Sequence, residues 1–125
     1  VCYEELFFDL QRKLRNAGAD VQVVITNDAW FGKSFFQPYQ ANTVRLRAIE
    51  NRTSFVRVAN SGISMFVDPL GRDAERTELE VQEVRTHDVP IVRTRTVYDR
   101  TGNVVAWVAL AVLAAATVTG WRRER

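Results

Sequence analysis

Cys2 is the one cysteine in a chain of 125 residues, and it stands just ahead of a helix-forming stretch. Free N–H groups and the partial positive charge at a helix start favour a thiolate, which is the form of cysteine that attacks carbon. The carboxylates of Glu4 and Glu5 just beyond it oppose that shift. Taken alone, a single cysteine also suits a small buried apolar site. It can form neither an internal disulfide nor a cysteine-based zinc site within the chain. His87 is the only histidine; far along the chain beside Asp88, it reads as a solvated surface residue. A base for Cys2 must then be a carboxylate or a group outside the sequence.

A second set of polar groups lies at strand ends. Asn27, Asp28 and Asn60 follow short apolar runs and are expected to orient loops rather than touch substrate. Trp30 and Phe31, beside Gly32, are poor choices for a solvent-facing loop without an apolar partner. One reading gives them a binding role, and the other puts one of them in the core. Asn51-Arg52-Thr53 matches a glycosylation triplet, but it falls on a predicted helix and is read as chance.

These groups need a frame. Over residues 4–16, Leu6, Phe7, Leu10 and Leu14 recur at steps of three and four, which predicts an amphipathic helix with basic residues in its last turn before Gly18. Val21–Thr26 is a β-branched run that reads as a strand buried on both faces. Pro38 can open a helix over 39–52. Strands are predicted over 55–59 and 63–67, a turn at Asp68-Pro69-Leu70-Gly71, and a half-exposed strand over 79–85 from its alternation. The order helix, strand, helix and three strands predicts an α/β layer.

Composition narrows the function classes. The net charge is only +2, and opposite signs alternate through 73–85, which gives nucleic-acid binding little support. No charged residue occurs between Arg100 and Arg122. The apolar run over 104–121, at ~1.5 Å per residue, approaches the ~30 Å of a hydrocarbon layer, so a transmembrane helix is predicted. Trp107 and Trp121 near its ends agree. Ala111 with Ala115, and Ala116 with Gly120, would suit packing on other membrane helices. The alternative is an Ala-rich helix buried in a soluble core. The opening Val1-Cys2, without an initiator Met, is read as the start of a fragment.

Taken in order, Val1-Cys2-Tyr3-Glu4, Asn27-Asp28-Ala29-Trp30-Phe31-Gly32, Asn60-Ser61-Gly62 and Asp68-Pro69-Leu70-Gly71 resemble the C-terminal half of a nitrilase-superfamily domain. The Trp-Phe-Gly form of the second motif, and Tyr98-Asp99-Arg100-Thr101-Gly102-Asn103 just before the apolar run, are similar to the apolipoprotein N-acyltransferase branch. The resemblance covers almost the whole chain. It implies a partial αββα sandwich over residues 1–100, the C-terminal part of a CN-hydrolase catalytic domain. One C-terminal transmembrane helix and a short basic cytoplasmic tail would follow over 101–125.

It also implies a Glu-Lys-Cys triad in which Cys2 is the nucleophile and the Glu and Lys lie upstream of Val1, leaving the fragment alone inactive. Glu4 would be a second carboxylate beside the nucleophile, although a glutamate favoured by the helix dipole explains it too. The backbone N–H of Tyr3 would help bind the oxyanion. Trp30 and Phe31 would border a lipid entrance. The implied reaction moves an acyl chain from a phospholipid donor, through a Cys thioester, to the N-terminal amine of a diacylglyceryl-modified apolipoprotein. No metal or organic cofactor is implied. The implied place is the bacterial cytoplasmic membrane, with the catalytic domain on the outer face. The rival readings are another nitrilase-like amidase and an inactive membrane-tethered domain.

Overall fold

The computed structural model describes residues 3–32 and 34–123, with side chains through Thr119. Four strands form one mixed sheet in chain order: β1 (Val21–Thr26), β2 (Ser54–Ala59), β3 (Met65–Val67) and β4 (Asp73–Ala74). β1 and β2 are parallel, from Val21 opposite Ser54 to Thr26 opposite Ala59, and the two later pairings are antiparallel. Four α-helices are described: α1 (Phe8–Asn16), α2 (Phe36–Asn51), α3 (Val97–Thr101) and α4 (Val104–Arg123).

The helix predicted over 4–16 is interrupted. Glu4–Leu6 forms a single 3₁₀ turn, Phe7 is extended, and only then does α1 begin. In one unbroken helix Glu5 and Asp9 would share a face, four residues apart. The break separates them: Glu5 is fully buried and Asp9 lies at the surface. The side-chain amide of Gln11 donates to the carbonyl of Glu4 at 2.6 Å and ties the two pieces together. α2 starts earlier than predicted, and Pro38 sits in its first turn, where a missing N–H costs nothing.

Ala41, Val44 and Ala48 of α2 pack with Val24, Phe55, Ile63, Met65 and Val67 to make the core. Only one face of β1 takes part. Val24 and Thr26 are buried, whereas Val23 and Ile25 are exposed at 62% and 63%, so the expectation that β1 is buried on both faces is corrected for this chain. With Val58 of β2 they leave the other face of the sheet bare and apolar.

The strand predicted over 79–85 does not form. The left-handed backbone at Glu80 interrupts the extended run on which a ladder depends. β3 pairs instead with the two-residue β4. Beyond it the chain runs back across the helices, held by Ser54 Oγ donating to the carbonyl of Pro90 and Arg15 donating to that of Val92. Thr96 then caps α3 by accepting from the N–H of Asp99 at 2.9 Å.

The predicted terminal helix is present as α4, but the expectation that it crosses a membrane is not met. Among the described residues, no helix is long and apolar enough to do so. Six alanines between Ala106 and Ala116, which are nearly neutral on insertion scales, dilute the Val and Leu content. Nor is it a buried core helix, because its described side chains are exposed. The hydroxyls of Thr117 and Thr119 bond back to carbonyls of their own helix, at 2.8 and 3.0 Å.

Candidate active site

Parallel pairing of β1 with β2 brings the two loops that follow them side by side. This is the carboxyl edge of the strands, where open α/β sheets place their ligands. Asn60 joins the loops: its Nδ2 donates to Asn27 Oδ1 at 2.7 Å, and its Oδ1 accepts the N–H of Asp28 at 3.0 Å. Asn27 Oδ1 also accepts the N–H of Ala29, which starts the 3₁₀ turn Ala29–Phe31.

Beneath the loops lies a fully buried charge cluster. Arg57 stands two residues after Phe55 on β2, so its side chain shares the helix-covered face. Its Nη2 donates to Asp28 Oδ2 at 2.9 Å, lies 3.4 Å from Gln40 Oε1 and reaches within 3.6 Å of Glu5 Oε1. Its Nη1 donates to the carbonyl of Ile63. Asp28 Oδ1 takes the Thr26 hydroxyl at 2.7 Å. Neither oxygen of Glu5 accepts a hydrogen bond from another residue. Burial raises the Glu5 pKa above the usual carboxylate value, against a lowering from a backbone hydrogen bond and from Arg57.

Sequence reasoning singled out neither Arg57 nor Glu5 in this role. The available signal was an arginine in the middle of the apolar strand Ser54–Ala59, which requires an acidic partner if it faces the core.

On the outer side, four aromatic rings meet. Tyr3 stands edge-on to Phe31, with centroids 5.7 Å apart at 82°, and Phe31 lies 4.5 Å from Phe36, which in turn contacts Tyr39. Trp30 is 84% exposed, and Phe35 is nearly as open. Trp30 is therefore no core residue, whereas Phe31 is half-buried in the ring cluster. Glu4 is at the surface of this chain. Cys2 lies outside the described residues; its sequence neighbour Tyr3 packs on the aromatic loop. Among the described residues, no group of three or more His, Cys, Asp or Glu is arranged to hold a metal ion.

Known proteins are similar to this chain in sequence. It is 38% identical to the apolipoprotein N-acyltransferase of Geobacter metallireducens over 125 residues, which are 99% of this chain and 24% of that protein. The apolipoprotein N-acyltransferase of Rickettsia bellii is 43% identical over 108 residues, covering 83% of this chain and 21% of the relative. That of Chlorobaculum tepidum is 34% identical over 125 residues, or 100% and 24%. The chain thus spans about a quarter of the length of the curated relatives it matches. The carbon-nitrogen hydrolase pattern matches residues 1–115. With that match running through both strand-end loops and the buried cluster beneath them, the chain belongs to the carbon-nitrogen hydrolase family.

Proposed function

We propose that this chain is the nucleophile-bearing part of an apolipoprotein N-acyltransferase. The observation that carries the reading is the aromatic surface beside the start of the chain. Tyr3, next to Cys2, packs on Phe31, and Trp30 on the same loop projects into solvent. An open patch of large rings suits an acyl chain better than a small polar amide.

In this reading the Cys2 thiolate attacks the ester carbonyl of a phospholipid. The tetrahedral intermediate collapses with loss of the lysophospholipid alcohol, which takes a proton, and the acyl group remains as a thioester. The α-amine of a diacylglyceryl-modified apolipoprotein then attacks the thioester, gives up a proton and releases the Cys2 thiol. Covalent catalysis lets two bulky lipids use one site in turn. The N–H of Tyr3 would help hold the oxyanion, and Glu4 would lie beside the nucleophile. The base Glu and the Lys come from parts of the protein outside this chain, which is therefore inactive alone. The scheme uses no cofactor.

Residues 1–100 form the catalytic part in this proposal, as one portion of an αββα sandwich, and 101–125 form a separate helical tail. Lipid substrates point to the bacterial cytoplasmic membrane, with the catalytic part on its outer face. The test is to incubate the intact protein with phospholipid and look for acyl-Cys2 by mass spectrometry. Cys2→Ser should form no acyl-enzyme, because an alkoxide is far harder to generate than a thiolate near neutral pH. Normal turnover by Cys2→Ser would exclude the reading.

A further inference from the structure

We propose that Arg57 is a positioning residue for the nucleophile: held between Asp28 and Glu5, it fixes the turn that follows Cys2 against the loop bearing Trp30 and Phe31. The inference rests on the acyl-transfer reading and adds to it the part that sets the geometry.

A buried ion cluster is a weak source of stability. The cost of removing the charges from water offsets most of their attraction, and well-packed apolar replacements are often neutral or better. What the cluster supplies is a fixed arrangement. Asp28 is anchored by the Thr26 hydroxyl and Arg57 on its carboxylate, by Asn60 on its N–H and by the Gln37 amide on its carbonyl. Through Asp28 the guanidinium is therefore tied to β1 and to both strand-end loops. Its fork also reaches Gln40 of α2 and the carbonyl of Ile63.

Glu5 is the free arm of the cluster. It sits on the 3₁₀ turn Glu4–Leu6, three residues after Cys2, with no exposed surface and no hydrogen bond from another residue to either oxygen. Its ion-pair contact is with Arg57 at 3.6 Å. A carboxylate buried in this way does not help the fold. It does set the rotation of a short turn that is separated from α1 by the extended Phe7. That turn carries the N–H of Tyr3, the residue next to Cys2 in sequence, and misplacement of a reacting group by about 1 Å can cost about 100-fold in rate.

The experiment uses the intact protein with phospholipid donor and measures thioester formation on Cys2 per folded molecule. Glu5→Gln keeps the size of the side chain and removes the charge. It should melt no lower than the parent yet form the thioester about fivefold more slowly, with the donor KM within about twofold, as expected when alignment rather than binding is lost. Arg57→Lys keeps the charge but loses the planar fork, and should slow the same step about tenfold or more. If Arg57→Lys does not fold, Glu5→Gln decides. Parent-like acylation per folded molecule in Glu5→Gln overturns the inference, whatever Arg57→Lys does. A parent protein that forms no thioester at all overturns the acyl-transfer reading and this inference with it.

Discussion

A β-carbon on Gly62 would lie 1.9 Å from Oδ2 of Asp28. No side chain fits there, so the turn Asn60-Ser61-Gly62 can close over the carboxylate only with glycine at its third position. The requirement is for space, because Gly62 is not among the glycines with positive φ. Gly62→Ala is expected to push Asp28 away from Arg57 and leave a buried cation partly unpaired. Breaking such a pair costs about 3–5 kcal/mol. Denaturant unfolding of the intact protein measures it, and a loss below about 1 kcal/mol would mean that the turn yields instead.

The parts of the fold legible in the sequence were those fixed locally. Val21–Thr26 was read to the residue because a β-branched run lies between turn-forming groups on both sides, and Asp68 to Gly71 closes as a turn, with Gly71 N–H donating to the Asp68 carbonyl. What escaped depended on distant partners. The periodicity of Leu6, Phe7 and Leu10 carried a helix through Phe7, and so hid the break that turns Glu5 inward. Arg57 acquires meaning only beside Asp28, 29 residues away. The alternation over 79–85 was real in the sequence, but a strand also needs a neighbour to pair with. The contacts of Asn27 and Asn60 with the N–H groups of Ala29 and Asp28 are of the kind that short polar side chains at strand ends commonly make.

Trp30 and Phe31 now separate into two predictions. Trp30 is almost fully exposed, so Trp30→Ala should change stability by less than about 0.5 kcal/mol. Phe31 has ring contacts with both Tyr3 and Phe36, and Phe31→Ala should cost about 1–2 kcal/mol. Both should slow acyl transfer in the intact enzyme. Turnover unchanged in Trp30→Ala would remove it from the lipid entrance.

Asp68 gives a pH signature. Burial would raise its pKa, but the Arg72 N–H, the Arg72 guanidinium and the Leu70 N–H outweigh it and hold the carboxyl below the usual aspartate value. A lowered native pKa adds stability above the unfolded-state value, and that stability disappears as pH falls through the native one. Asp68→Asn should therefore be less stable than the parent by about 0.5–1 kcal/mol near neutrality. The gap should close in acid, as pH falls below the usual aspartate range and through the lowered native value. A gap of constant size in melting curves across that range would assign the loss to shape rather than charge.

The bare face of the sheet makes the last prediction. Val23 and Ile25 on β1, with Val58 on β2, are open to solvent in this chain, while Val24 and Phe55 on the opposite face are packed against α2. A parallel strand pair that is apolar on both sides is the pattern of a sheet covered on both sides. The sandwich proposed for the intact protein would supply the cover, at the ~10 Å spacing of stacked sheets. Ile25→Ala should then behave as a core truncation in the intact protein and cost about 2–4 kcal/mol. Val84, 94% exposed and outside the sheet, provides the control, and Val84→Ala should fall within about 0.5 kcal/mol of the parent. Unfolding of the two variants by denaturant, under the same conditions, compares them directly. Equal small losses would mean that the face meets water in the intact protein, and the two-sheet arrangement would have to be abandoned.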